Sequence, residues 1–600
     1  MKKQRGRYDR TGRRRVAILM VLCGAVFALF VARLIQLQFL KAEEYQAKAA
    51  AARTTRYTVS QPAARGEITD RNGQSLAGNA TAWDLSLVIP APPGTDLVRT
   101  CKVLQQITGG KDVETQLAAF CSAVSAGEMP VAQNITPQQR AVLAREGLLQ
   151  NGAVRLTARG VRFWADGTLL PHALGFTGPI TAEQWPEYKK KGVAMNAQVG
   201  QSGLEQVYDD LLRGTDGTLT VLADRSGTRT ETLTAAPQRG ADLVLSLDAG
   251  LQTVLQTALR DRIAELNRTA APGKGREARA GAAVVVDVAA GGLLAAVSEP
   301  GYDLNEYRAL YTSLSADPAA PLLDRVCQGL YAPGSAFKPA VAAAALTAGF
   351  SPAATVNCSG RYTFYSGYQP GCLQYGHSGP VDLLTALQHS CNIYFYDTGR
   401  RLGVDAFSAM AQSLGLAADT GVELPAAAGR LTWSTDANFQ NGLTLQAAIG
   451  QGNTALTPLQ LVSYAAALAN NGRRPALHFA ERAVNEAGET VWRYEPSWTV
   501  TEGGEAVFGP IREGMKRMAQ TSRVLRESPV PCAAKTGSPQ LSELLPDGSG
   551  RYTNSVLIGY APADAPQIAV AVVLEYGGGG ANAAPVLRAV LDWLAGQGTA

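Results

Sequence analysis

The chain lacks a second long apolar run, lacks internal repeats and, outside its first fifteen residues, lacks net positive charge. The first absence excludes a polytopic membrane protein, and the second excludes solenoids and propellers. The third excludes nucleic acid as a partner. The formal charge of +5 arises in a tail holding Lys2, Lys3, Arg5, Arg7, Arg10, Arg13, Arg14 and Arg15, offset there by Asp9 alone. Low-complexity sequence is confined to the glycines at 577–580, and 46% apolar with 18% charged residues is neither a disordered nor a fibrous balance. At 600 residues the chain exceeds what one hydrophobic core organises, so at least two domains are expected.

What is present begins with the run behind the tail. Residues 16–32 are uncharged and apolar (VAILMVLCGAVFALFVA). As a helix they span about 25 Å, and snorkelling of Arg15 and Arg33, or continuation to Leu40, fits them to a ~30 Å hydrocarbon core. A cleaved signal peptide is the competing reading, with Ala47-Lys48-Ala49 as its cleavage site. The run is longer than a usual signal core, however, and that site lies well past it. The expectation is a cytoplasmic tail at 1–15 and a single transmembrane anchor at 16–38. By the positive-inside rule the rest is then extracytoplasmic.

Residues 41–60 read as a helix leaving the membrane. The segment 65–73 (RGEITDRNG) ends in Asn-Gly, a hairpin-turn signal. Residues 218–224 and 242–248 alternate as strands, 251–266 reads as an amphipathic helix, and 280–288, after the soft stretch 271–276, reads as a buried strand. Two further hydrophobic strands fall at 555–561 and 568–575. One strand early, two late and Ala-rich helices between predict an α/β (α+β) body built on an antiparallel sheet flanked by helices.

Three short motifs carry the chemistry. In YAPGSAFKP, Pro333-Gly334 before an Ala-rich helical run puts Ser335 near a helix N-terminus, where negative charge is favoured. Lys338 follows one turn later on the same face, within reach of the Ser335 hydroxyl; a desolvated lysine with a lowered pKa can activate a serine. In HSCNI, Ser390 and Asn392 supply a hydroxyl to relay a proton and an amide to bind a substrate amide. In AKTGS, a strand places Lys535 and Gly537 on one face, with Gly537 admitting a substrate backbone and Thr536 and Ser538 offering hydroxyls to a carboxylate. Each motif alone is common. Ser-x-x-Lys, Ser-x-Asn and Lys-Thr-Gly in this order are specific to acyl-serine enzymes of the penicillin-binding and β-lactamase kind.

With these motifs in place the chain resembles the class B penicillin-binding proteins. The likeness extends to RGEITDRNG, to GQSGLEQVYDDLLRGTDG at 200–217, to SLDAGLQ at 246–252, to the stretch 447–472 and to the final strands at 558–575. Only about residues 80–195 match loosely. The resemblance implies a pedestal of the dimerisation type at 39–238 and a transpeptidase domain at 239–600. It implies a D,D-transpeptidase in which Ser335 attacks the penultimate D-alanine of a peptidoglycan stem peptide ending in D-Ala-D-Ala, and β-lactams acylate the same serine. Lys338 would accept the proton, Ser390 and Lys535 would relay one to the departing D-alanine, Asn392 would orient the donor, and the N–H groups of Ser335 and Ser538 would form an oxyanion hole. No cofactor is required for this chemistry. A glycan polymerase of the SEDS family is the implied partner, with roles in elongation, division and sporulation all open. Ser538 stands where the family usually has threonine, and Ala534 where it often has glycine.

Other readings share the motifs. A β-lactamase or β-lactam sensor would be more compact, and a lactamase would add a base for deacylation. A D,D-carboxypeptidase differs only in using water as acceptor. A bifunctional enzyme conflicts with the pedestal-like segment, and a non-catalytic scaffold conflicts with intact Ser335 and Lys338. The cysteines leave a second question. Cys101 and Cys121 are candidates to pair, while Cys327 and Cys532 read as small core residues. Cys358, Cys372, His377 and Cys391 make a complete donor set for structural zinc, though without short Cys-x-x-Cys steps. Some members of the resembled family carry a metal between the first two motifs. A Cys358–Cys372 disulfide, with His377 on the surface, or simple thiols are the alternatives.

Overall fold

The computed structural model describes residues 5–45, 48, 54–124, 126–195, 197–224, 229–373 and 376–597. Lys2 and Lys3 of the tail, and Ala47 and Ala49 of the candidate cleavage site, lie outside the described residues. A helix over Arg5–Ile35 continues into a π turn at Gln36–Leu40, so the basic tail from Arg5 onward is helical together with the apolar run. The stretch Gly12–Leu40, 29 residues long, is apolar and long enough to cross a membrane. The helix expected over 41–60 does not persist. Thr54–Gln61 is instead a strand, antiparallel to Gly217–Asp224 from Thr54↔Asp224 to Gln61↔Gly217, with Arg229–Ala235 on the far side. Its sequence, TTRYTVSQ, is rich in β-branched and aromatic residues, which favour a pleated surface once a partner strand is available.

The chain divides into two compact units, one of residues 1–63, 81–161 and 215–238, the other of 64–80, 162–214 and 239–600. In the first unit, helices Leu97–Ile107, Val113–Ala123 and Pro137–Arg145 cover a small core around Leu85, Leu87, Leu104 and Leu143. Asp96, Asp112 and Thr136 cap those helices by accepting from the N–H three residues on. No disulfide joins any cysteine among the described residues, so Cys101, which is buried, and the exposed Cys121 are not paired.

In the second unit the Asn72-Gly73 turn forms as expected, with Gly73 at φ +85° and Ile68 paired with Ala77. The centre is a five-stranded sheet: β1 (Ala280–Asp287), β2 (Leu293–Glu299), β3 (Ala533–Gly537), β4 (Ser555–Ala561) and β5 (Ile568–Glu575). The order is β2-β1-β5-β4-β3, antiparallel throughout. Five helices are used below: α1 (Ala249–Thr269), α2 (Lys338–Thr347), α3 (Asn392–Leu402), α4 (Pro458–Ala469) and α5 (Ala584–Gly596). Leu255 and Leu259 of α1 and Val590 of α5 share a core with Val285, Val570 and Val572. Leu461 and Ala465 of α4 and Ala340 of α2 share the other with Val284, Ala571 and Val573. Alternate residues of each strand thus enter opposite cores, which is why β1 and β5 read as unbroken apolar runs. Of the edge strands, β3 carries Lys-Thr-Gly, while β2 was not among the strands expected from the sequence.

Candidate active site

Ser335 lies in a single 3-10 turn, Gly334–Phe337, that leads directly into α2 at Lys338. The turn is built around glycine: Gly334 has φ +56°, and a Cβ there would stand 3.0 Å from the Pro539 nitrogen. Backbone bonds strap it from below, Gly334 N donating to Gly450 O at 2.9 Å and Tyr331 exchanging bonds with Leu456 at 2.9 and 2.8 Å. The Tyr331 hydroxyl donates to Glu575 Oε1 at 2.8 Å, and Arg325 Nε reaches the same oxygen at 2.9 Å. On the other side β3 lies against the turn, since a Cβ on Gly537 would stand 2.2 Å from Pro333 O. The first and third motifs are therefore in backbone contact.

The second motif closes the site. Ser390 holds φ +58°, a conformation uncommon for a serine. Its hydroxyl receives Lys338 Nζ at 3.1 Å and Lys535 Nζ at 3.1 Å. Lys338 Nζ also donates to Ser390 O and to Asn392 Oδ1, both at 2.7 Å, and lies 5.4 Å from the Phe395 ring centroid. Both lysines are fully buried, at 0% exposure, with no carboxylate bonded to either amine among the described residues. Burial lowers the Lys338 amine to about 7, an effect partly opposed by the Cys391 and Cys372 thiols. Burial, and then the nearby Lys338, hold Lys535 well below its ordinary value. The two buried amines thus share one hydroxyl, Ser390 Oγ, as a common partner.

The structure thus brings Lys338, Ser390, Asn392 and Lys535 into one hydrogen-bonded group. The direct bond from Lys338 to the Ser335 hydroxyl, expected from spacing, is not formed among the described residues; the amine turns to Ser390 and Asn392, which offer it three acceptors. Ser335 and Thr536 are half-buried and Ser538 is exposed, whereas Lys338 and Lys535 are fully buried. Ser538 Oγ accepts from Gly580 N at 2.8 Å, leaving its own proton to donate to a carboxylate. Sequence reasoning missed Gly580 and Gly450. The glycine run at 577–580 and the Gly-Gln-Gly at 450–452 were the available signals.

Cys358 ends a short strand, Val356–Cys358, paired with Gly379–Val381, and Cys391 is the N-cap residue of α3. The ligand atoms of Cys358, Cys372, His377 and Cys391 all lie within 4.8 Å of one another. Cys372 Sγ is 3.5 Å from His377 Nε2 and accepts from Asn392 N at 3.4 Å. The hydrogen bond to Cys372, and then burial, push the Cys391 thiol far up. The Cys358–Cys372 disulfide alternative is not formed. Three sulfurs and one imidazole nitrogen at these separations fit a tetrahedral metal, whose ligand atoms stand roughly 3.5–4 Å apart.

Comparison with known proteins accords with this geometry. Residues 281–592 match the penicillin binding protein transpeptidase domain, and residues 60–245 match the penicillin-binding protein dimerisation domain. The chain is 30% identical to the peptidoglycan D,D-transpeptidase MrdA of Acinetobacter baumannii over 89% of this chain and 80% of that protein. A structure described as a peptidoglycan synthase complex that coordinates polymerization and crosslinking includes a chain 28% identical to this one. It covers 98% of this chain and 99% of its own length, with a TM-score of 0.71. The penicillin-binding protein PBP2 of Helicobacter pylori, in complex with MreC, shares the fold at 23% identity and a TM-score of 0.74, over 91% of this chain and 100% of that one.

Proposed function

The chain belongs to the class B penicillin-binding proteins and is a membrane-anchored peptidoglycan D,D-transpeptidase, and from that premise we propose the roles of its residues. Ser335 Oγ attacks the penultimate D-alanine carbonyl of a donor stem and yields its proton to the neutral Lys338 amine. The oxygen that becomes negative is held by the N–H groups of Ser335 and Ser538. The C–N bond to the terminal D-alanine then breaks, and the leaving amine takes a proton delivered through Ser390 and Lys535. Asn392 orients the donor, and Thr536 and Ser538 hold its carboxylate. The amine of a second stem displaces Ser335 from the acyl-enzyme, returning the proton by the same route. The observation that carries this reading is the Ser390 hydroxyl held at 3.1 Å from two buried amines beside the Ser335 turn. Replacing Ser335 with alanine tests it. Covalent labelling by fluorescent penicillin is then lost while the thermal melt is retained, and labelling at the wild-type rate would refute the assignment.

The finer readings belong here as well. We take 1–15 as a cytoplasmic tail, 16–38 as the span, 39–238 as the pedestal and 239–600 as the transpeptidase domain, the basic tail supporting this orientation. A SEDS-family glycan polymerase is the proposed partner. It is supported by the likeness over nearly the whole chain to a component of a complex that coordinates polymerization with crosslinking. Cys358, Cys372, His377 and Cys391 would hold a zinc ion, which supplies no chemistry to the reaction. Its place behind Ser390 and Asn392 gives these ligands the task of holding the second motif in register. About one zinc per chain, lost in Cys372→Ser, is the expected result of metal analysis, and a metal-free active protein would exclude it.

A further inference from the structure

Beyond the three motifs, the second unit carries an open cleft of about 490 Å³. Gln412, Arg430, Trp433, Asp436, Asn438 and Asn453 supply its polar and aromatic wall. Its floor is tied to the catalytic turn. The segment from Gly450 to Leu456 is bonded at one end to Gly334 and at the other to Tyr331, and Asn453 lies midway. Asn438 and Asn453 exchange amide hydrogen bonds at 3.1 and 2.8 Å, and Asn453 Nδ2 also donates to Asp436 Oδ2 at 2.7 Å. The Trp433 backbone N–H binds the same Asp436 oxygen at 3.2 Å, leaving Oδ1 uncommitted. The Trp433 ring packs against the core with its remaining surface exposed, and Arg430 is exposed. Neither the Arg430 guanidinium nor the Trp433 indole N–H makes a hydrogen bond or ion pair among the described residues.

This combination selects among ligands. The Arg430 backbone is already paired with Ala455 at 2.8 and 3.0 Å, so at that residue the cleft has no free edge for an extended peptide. What it offers is an aromatic face beside planar donors and acceptors, which matches a pyranose: apolar C–H groups on one side, hydroxyls that both donate and accept at the rim. The cleft is also close to the catalytic turn along the backbone: Asn453 stands three residues from Gly450, whose carbonyl accepts from the N–H of Gly334 beside Ser335.

We propose that this cleft is a subsite for the N-acetylated aminosugar of the donor glycan strand, the strand whose stem acylates Ser335. The inference rests on the transpeptidase reading and adds to it a second point of substrate contact. Binding energy from a remote sugar raises kcat/KM for acylation by positioning the reacting carbonyl.

The test uses the full chain in detergent and two donors, a disaccharide-pentapeptide and the same pentapeptide without sugar. D-Alanine release is followed, and each protein is normalised to its own penicillin acylation rate. The wild type is expected to favour the disaccharide donor about tenfold, and Trp433→Ala and Arg430→Ala each to bring that ratio to about one. Arg430 is exposed, so its variant remains informative if loss of Trp433 disturbs folding. Equal rates on both donors in the wild type, or a preference that survives in both variants, overturns the proposal. A preference confined to sugar-bearing acceptors in the resolving step overturns the donor assignment. Failure of the wild type to react with penicillin strikes the transpeptidase reading instead.

Discussion

Two groups of buried basic side chains lie in the second compact unit, and what faces them differs. Arg65 and Arg162 converge on Glu205: Arg65 Nε donates at 2.6 Å, Arg162 Nε bonds the other oxygen, and Arg65 also reaches Asp209 at 2.7 Å. Lys338 and Lys535 converge on a neutral hydroxyl. Burial pulls on both groups. For Arg65, Glu205 and Asp209 outweigh burial and the guanidinium is held above its ordinary value, whereas for Arg162 burial outweighs Glu205 and lowers it; for the lysines no carboxylate opposes burial at all, and both fall. The arginine cluster is a buried ion network whose charges are compensated, so it fastens residues 65, 162 and 205–209 together. The lysine cluster lacks compensation, and the result is an amine near neutrality that can take a proton at physiological pH.

The comparison is broken most directly at Lys338. Lys338→Met is expected to slow penicillin acylation by about a thousandfold, the loss of a general base, while the melting temperature moves little because an apolar chain suits the dry site. Acylation kinetics beside thermal melts check this, and an equal collapse of both would make the lysine structural. The converse holds at Glu205. Glu205→Gln leaves two buried guanidiniums short of a counter-charge, at a cost of about 3–5 kcal/mol in stability, with acylation by the remaining folded protein changed only a few-fold. Denaturant titration reads the first quantity. A stable variant that acylates slowly would give the network a catalytic role.

A pH profile sharpens the contrast. Lys338 must be neutral to accept the proton from Ser335, and its pKa is lowered to about 7. Acylation is therefore expected to rise with pH through about 7 and to fall about tenfold per unit below it, since the protonated fraction grows as pH drops. The arginines remain charged throughout that range and contribute no inflection. A flat profile between about pH 5 and 8 would show that Lys338 is not the base. The smallest effect is expected at Ser538→Thr, which keeps the hydroxyl that accepts from Gly580 N, so acylation stays within about threefold of wild type. A larger loss would mean that the added methyl displaces the glycine loop.

The three motifs could be found by reading because their chemistry is carried by residue identity and order, although they lie 55 and 145 residues apart. The strands at 280–288, 555–561 and 568–575 were equally plain, since an unbroken apolar run survives whichever core each residue enters. Of residues 41–60, 42–45 are helical as expected, but 54–60 were misread: an Ala-rich polar stretch has helical propensity, whereas Thr54–Gln61 acquires its strand only by pairing with Gly217–Asp224, more than 150 residues away. Likewise β2 is bracketed by the turn signals Gly291-Gly292 and Pro300-Gly301 but shows no alternation of its own, and its place in the sheet is defined by the register with β1.

By itself, then, the sequence determined the nucleophile motif, the apolar segment that can serve as anchor, the donor set of Cys358, Cys372, His377 and Cys391, and the antiparallel α/β class. These follow from side-chain chemistry and from periodicity along one element. Only the tertiary structure decided that Lys338 addresses Ser390 and Asn392, that Gly450 and Gly580 brace the catalytic turn and Ser538, and that the four cysteine and histidine ligand atoms meet. Those contacts join segments far apart in the chain, and their geometry is set by how the helices pack on the sheet, which local spacing does not encode.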